Sequence, residues 1–168
     1  RDITEIVQAE KALRVSEDRY RKLVEESQDA IAIFQDDQYV YANPASAHLL
    51  GYASPADIIG KTLDELIAPE DLDRIKSFNN LRIEGREVPA SYEARMLRHD
   101  GSITWVEVSA SMREFKGQPA VQVAYYSIDA RKKAEEALKT REAMLHGIFA
   151  AAPIGIGMVR NRILGWTN

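Results

Sequence analysis

The chain has 168 residues, 45% hydrophobic and 29% charged, which suits one packed domain with appendages and is too apolar for a disordered chain. Acidic residues outnumber basic ones 26 to 22, which argues against a nucleic-acid or anionic-membrane surface. Cysteine is absent, and with it go disulfides, thiolate nucleophiles and cysteine metal sites.

Residues 2–26 read as a helix. Ile6, Ala9, Leu13, Ser16, Tyr20 and Leu23 form an a/d seam, with Glu5, Glu10, Lys11, Arg14, Glu17 and Lys22 off it. Ala and Ser at d weaken the seam, so the expectation is a dimerising or domain-docking connector. The period then changes to that of strands in "AIAIF" at 30–34 and "YVYA" at 39–42, joined by the turn "QDDQ". Helix punctuation follows. Asn43 before Pro44 reads as an N-cap with Gly51 closing the helix, and Ser54–Pro55 repeats the device up to Gly60. "TLDE" at 62–65 is a capping box, and a longer helix runs from Pro69 to Gly85 with acids in its first turn.

Three strands complete the unit: two about the turn "HDG", within residues 91–115, and a third, "AVQVAYYSI". Alternation puts Val106, Val108, Ala110 and Met112 on one face and Trp105, Glu107, Ser109 and Ser111 on the other. The order predicts an α+β fold: a five-stranded antiparallel sheet with short helices on one face and a connector helix at each end. The longest apolar run, Ile148–Val159, contains Pro153, Gly155 and Gly157 and is well short of the about 20 residues that span a bilayer.

"AEKAL" at 9–13 returns as "AEEAL" at 134–138, an offset of 125 residues. At that offset Ile3 falls on Ile128, Glu17 on Glu142, Ile31 on Ile156 and Asn43 on Asn168, and "YAN" meets "WTN". The order of helix, apolar run and polar turn is also kept, so residues 129–150 are expected to form a second connector and 151–168 the opening of a second unit. Opening on Arg1 rather than Met, the chain reads as a piece of a longer protein.

"YANPASAHLLGY", "IIGKTLDELIAPEDL", "YEARMLRHDGSITWVEVSAS" and "GQPAVQVAYYSIDARKKAEEAL" together resemble a PAS domain with its C-terminal PAC motif, of the kind strung in tandem in bacterial sensor proteins, sensor histidine kinases above all. The likeness covers residues 27–128, and the flanking helices resemble the connectors between such units. "DIT" at 2–4 matches the motif that ends a PAS domain, whereas the complete unit ends in "SID", with its acid at Asp129.

The resemblance implies a sensory and relay module that takes a small ligand or a partner, with a ligand-free dimerisation scaffold as the alternative. Cysteinyl-flavin chemistry lacks its cysteine, and the helix over 69–85 lacks the histidine that haem members supply; His48, His99 and His146 are scattered. Flavin or a small metabolite stays open. The expected pocket lining is Ile33, Leu50, Ile59, Ile75, Phe78, Val106, Val108, Val123 and Tyr125 with Tyr92 near the rim, residues that could equally form a plain core. Asn43, Trp105, Glu107 and Asp129 are the expected relay positions. The implied partners are a second copy, through the connectors and the sheet face, and adjacent PAS domains. No motif for a catalytic or metal centre stands in the chain, and the expected location is the cytoplasm.

Overall fold

A computed structural model describes residues 2–151. The chain divides into two compact units after Ile128. The first holds α1 (Asp2–Glu25), β1 (Ala30–Gln35), β2 (Gln38–Ala42), α2 (Pro44–Leu50), a 3₁₀ turn (Pro55–Asp57), α3 (Leu63–Leu66), α4 (Pro69–Ile83), β3 (Ser91–Leu97), β4 (Ile103–Phe115) and β5 (Gln118–Ser127). The second holds α5 (Asp129–Ala151). At the offset of 125 residues the two connector helices coincide to within two residues at each end. Ala151 closes α5, and the rest of the second unit expected over 151–168 lies outside the described residues.

The five strands form one antiparallel sheet in the order β2-β1-β5-β4-β3. Its tight hairpins follow from turn chemistry. Asp36 and Asp37 take φ of 51° and 66° between β1 and β2, and Lys116 and Gly117 take 51° and 79° between β4 and β5. Two successive residues at positive φ match the right-handed twist of the flanking strands.

The caps read from the sequence are in place. The Asn43 side chain accepts from the Ser46 N–H, and Gly51, at φ 77°, closes α2 in the left-handed region. Ser54 with Asp57, and Thr62 with Glu65, form reciprocal capping boxes.

The segment from Pro55 to Ile83 lies across the inner face of the sheet and is hydrogen-bonded to both edges. At the β2 edge Tyr39 N–H donates to the Lys61 carbonyl at 2.8 Å and Gly60 N–H to the Tyr39 carbonyl at 2.7 Å. At the β3 edge Ala68 N–H donates to the Arg95 carbonyl at 2.9 Å, and Ile67 bridges Met96. Part of each row of edge groups that would otherwise invite another strand is thereby engaged. Between sheet and segment lies the core: Ala32, Phe34 and Tyr39 from the first hairpin, Leu50, Ile58, Leu63, Leu66 and Ile75 from the helices, and Ala94, Met96, Val106, Val108 and Tyr125 from the last strands. Met112, expected on the inner face, is 39% exposed because β4 runs on past the helical cover.

Candidate functional site

The inner face of the sheet and α4 leave a small space. It is lined by Phe34, Tyr39, Leu63, Ile67, Ile75, Asn79, Tyr92, Ala94, Met96, Val108, Val123 and Tyr125. Water-sized centres have about 20 Å³ there, room for a single water. As it stands this space fits neither a flavin nor a haem. Burial pushes the hydroxyls of Tyr39, Tyr125 and Tyr92 above the usual tyrosine range, so all three are neutral at any physiological pH. Tyr125 also shares a hydrogen bond with the Ser46 hydroxyl, fastening β5 to α2.

Of the expected lining residues, Ile75, Tyr92, Val108, Val123 and Tyr125 surround this space. Leu50 and Val106 are fully buried in the same core without reaching it. Phe78 is half-buried beside it, edge-to-face on Tyr92 with 5.1 Å between ring centres. Two expectations are overturned. Ile33 points to the outer face, since Ala30, Ala32 and Phe34 set the inward phase of β1. It is half-buried there, and Gln122, its partner on β5, accepts a hydrogen bond from Tyr20 of α1 at 3.2 Å. Ile59 is 50% exposed, and Ile58, one place earlier in the turn, is the buried one.

The sequence reading missed a polar stripe on α4. Asp71, Ile75, Asn79 and Arg82 recur at steps of four, four and three, which puts them on one face, and all four are buried. Asp71 accepts from the Arg95 backbone N–H at 2.8 Å and from its guanidinium at 3.0 Å through each oxygen, and pairs with Arg74 at 3.2 Å. Those bonds, Arg95 first, hold the Asp71 carboxyl down at about 2 against the desolvation that would raise it. The Arg95 guanidinium lies 5.0 Å from the Trp105 ring on the outer face. One ion pair thus wraps the sheet edge, from the first turn of α4 to Trp105. Asn79 and Arg82 show the opposite condition: the Asn79 Oδ1 and the Arg82 Nη1 are buried without a hydrogen-bond partner.

Among the expected relay residues Asn43 joins three elements. Its Nδ2 donates to the Val24 carbonyl at 2.9 Å, in the last turn of α1, and to the Asp29 carbonyl at 3.0 Å. Its Oδ1 accepts from Ile31 N–H at 2.9 Å and from Ser46 N–H at 3.0 Å. Both amide donors and both acceptor positions are used, so one buried side chain joins α1, the start of β1 and the start of α2. Trp105 and Glu107 lie half-buried on the outer face, where Tyr126 of β5 donates to Glu107. Asp129 opens α5. No group of three His, Asp or Glu residues that could hold a metal ion is found among the described residues, and none of their helices is long and apolar enough to cross a membrane.

A twisted antiparallel sheet with a helical segment laid across one face from edge to edge is the architecture of sensory PAS domains. The family model for the PAS fold matches residues 39–124, and the chain belongs to that family.

Among characterised relatives, it is 28% identical over 155 residues to sporulation kinase A of Bacillus subtilis, covering 89% of this chain and 25% of the kinase. It is also 28% identical over 147 residues to the methyl sulfide methyltransferase-associated sensor of Methanosarcina acetivorans, covering 86% of this chain and 14% of the sensor. The chain therefore spans a small part of either relative's length. Among solved structures, the PAS domain of an HTR-like protein from Haloarcula marismortui superposes with a TM-score of 0.58 at 24% identity, over 72% of this chain and 98% of that one.

Proposed function

We propose that residues 27–128 are a relay unit of a histidine-kinase-type signalling protein, taking a change from α1 and passing it along the sheet to α5. The Asn43 junction carries this reading. A displacement of the last turn of α1 pulls on the Val24 carbonyl, and through one rigid amide that pull reaches β1 and α2 together. α1 touches the sheet twice more, where Tyr41 donates to Glu25 of the same turn at 2.9 Å and Tyr20, one turn earlier, donates to Gln122 on β5. β5 leads within two residues into α5. Any input, whether ligand or partner, must favour one arrangement of this junction over another to be passed on.

The reading extends to assembly and setting. Two copies pair through the α1 seam, adjacent PAS units precede and follow, the unit works in the cytoplasm, and catalysis belongs to other parts of the parent protein. The alternative, a ligand-free dimerisation scaffold, is favoured by the near-complete filling of the core.

Asn43→Asp separates the two. Aspartate keeps the oxygen that accepts from Ile31 and Ser46 but loses both donors, cutting the tie to Val24 and Asp29 at a cost of about 2 to 3 kcal/mol. In the wild type, amide chemical-shift changes set off by Tyr20→Phe are expected to reach β1 and α2. In the Asn43→Asp background they should stop near Gln122. An identical spread in both backgrounds leaves the scaffold.

A further inference from the structure

Arg95 is tied to the start of α4 by its backbone and again by its side chain. Its N–H donates to the Asp71 Oδ2 at 2.8 Å, and its carbonyl accepts from Ala68 N–H at 2.9 Å. Both bonds hold the start of α4 on β3 whatever side chain stands at position 95. The guanidinium adds Nε to the Asp71 Oδ2 and Nη2 to the Asp71 Oδ1, each at 3.0 Å. A fork engaged in its own plane keeps its flat face for an aromatic ring. The Trp105 ring lies 5.0 Å from that guanidinium, on the outer side of the sheet, and Trp105 is also the register partner of Arg95 across β3 and β4.

The contacts continue past Trp105. Its carbonyl accepts from Ile128 N–H at 2.8 Å. Ile128 is buried, follows the end of β5 and immediately precedes Asp129, which opens α5. Asp71, Arg95, Trp105 and Ile128 thus make a line of direct contacts that starts in the first turn of α4, rounds the β3 edge and ends where the chain leaves the sheet. The guanidinium is the link in that line that the backbone bonds do not duplicate.

We propose that Arg95 is a positioning residue: through its side chain the first turn of α4 sets the place of Trp105, and through Trp105 the point at which Ile128 hands the chain to α5. A shift of α4 along the β3 edge moves the fork, the fork tilts the indole, and the tilt reaches the Ile128 amide. Coupling of this kind is reciprocal, so a partner packed on Trp105 from the outer side of the sheet is felt at α4 through the same contacts. The inference deepens the relay reading and rests on it for the use made of the movement. It gives the relay a second route that bypasses the Asn43 junction.

The test is hydrogen exchange of the whole chain, with the Ile128 amide compared against those of Val121 and Val123 in β5. Arg95→Met keeps an apolar stem and both backbone bonds and removes the fork. It is expected to speed exchange at Ile128 by about tenfold relative to the two reference amides. Asp71→Asn, which removes the charge that aims the fork, should act in the same direction and more weakly. The double variant should exchange no faster than Arg95→Met alone, because a single line of contacts is broken only once. Arg95→Lys keeps the charge without the planar fork and gives the same comparison if the methionine variant does not fold. Three outcomes overturn the proposal: Ile128 exchange unchanged relative to the references, all three amides speeding by one common factor, which marks a role in stability alone, or single effects that multiply in the double variant, which puts Asp71 and Arg95 on separate paths. None of them is read at β1 or α2, where the Asn43→Asp experiment is read, so loss of this route and loss of the Asn43 junction are told apart.

Discussion

Two helices of this chain have opposite relations between polarity and burial. α1 carries an apolar seam that is exposed along its length: Ile6, Leu13, Tyr20 and Leu23 are each at least half exposed, and only Val24 is buried. α4 buries a stripe in which three of four residues are polar, Asp71, Asn79 and Arg82, and leaves Ile83 out at 49%. The two helices are polar overall to nearly the same degree, so hydrophobicity alone does not say which one packs. What decides is whether a neighbour answers each group. The α4 stripe meets the edge of β3 and the loop carbonyl of Pro89, which satisfy both Asp71 oxygens and one end of the Arg82 guanidinium. Of the α1 seam ahead of its last turn, Tyr20 reaches the sheet through Gln122, and Ile6 and Leu13 are each more than half exposed.

The largest effect that tests this contrast is on the one apolar residue of the α4 stripe. Ile75, 3% exposed, packs between Asp71 and Asn79 against the inner sheet face. Ile75→Ala is expected to cost about 3 kcal/mol in urea unfolding, from lost burial and the cavity left behind. Leu13→Ala on the α1 seam, 60% exposed, should stay within about 0.5 kcal/mol at concentrations where the chain is monomeric. Similar costs at the two positions would mean that the exposure of α1 is not its state in solution.

The second effect concerns the charge that α4 buries. The Asp71 carboxyl is held at about 2, below its ordinary 3.8, so its ion pair with Arg95 contributes fully above the unfolded value and is lost as pH falls through the folded one. The difference corresponds to about 2 kcal/mol. Wild-type stability is therefore expected to fall by about that amount between pH 5 and pH 2 relative to Asp71→Asn, which has no carboxyl to protonate there. At neutral pH Asp71→Asn should itself be less stable by a similar margin. Parallel stability curves across that range would show that the carboxylate is not the group clamping α4 to the edge strand.

These residues also mark where the sequence was readable. The strands, the capping residues and the alternation of β4 were legible because each depends on neighbours within a few positions: Asn43 caps Ser46, Thr62 reaches Glu65, and Val106 and Val108 share a face. Ile33 and Ile59 were misplaced because local apolarity does not say which of two adjacent hydrophobic positions faces in. In β1 the small Ala30 and Ala32 take the inner side, and the larger Ile31 and Ile33 are half-covered on the outer one. Asp71 looked like a first-turn acid answering the helix dipole. That account was sound as far as it went, but its principal partner, Arg95, lies 24 residues away across an edge that only the folded sheet creates. The four-residue spacing of Asp71, Ile75 and Asn79 was visible throughout and was the one signal that could have placed them on a common face.

The smallest effect on stability bears on the other half of the contrast, and reads out in assembly. In an a/d seam Leu13 occupies an a position between Ile6 and Tyr20, with Ala9 and Ser16 at the weaker d positions. Leu13→Glu places a carboxylate where a second copy's Leu13 side chain would pack, and in a parallel pair sets two like charges facing each other. Leu13 is 60% exposed, so unfolding of the monomer should shift by no more than about 0.5 kcal/mol. Sedimentation is expected to show wild-type dimers that the variant loses entirely. A wild type that stays monomeric at high concentration would break the reading of α1 as half of an interface. A variant that still dimerises would move the contact away from the seam, to the outer sheet face where Trp105 and Glu107 lie.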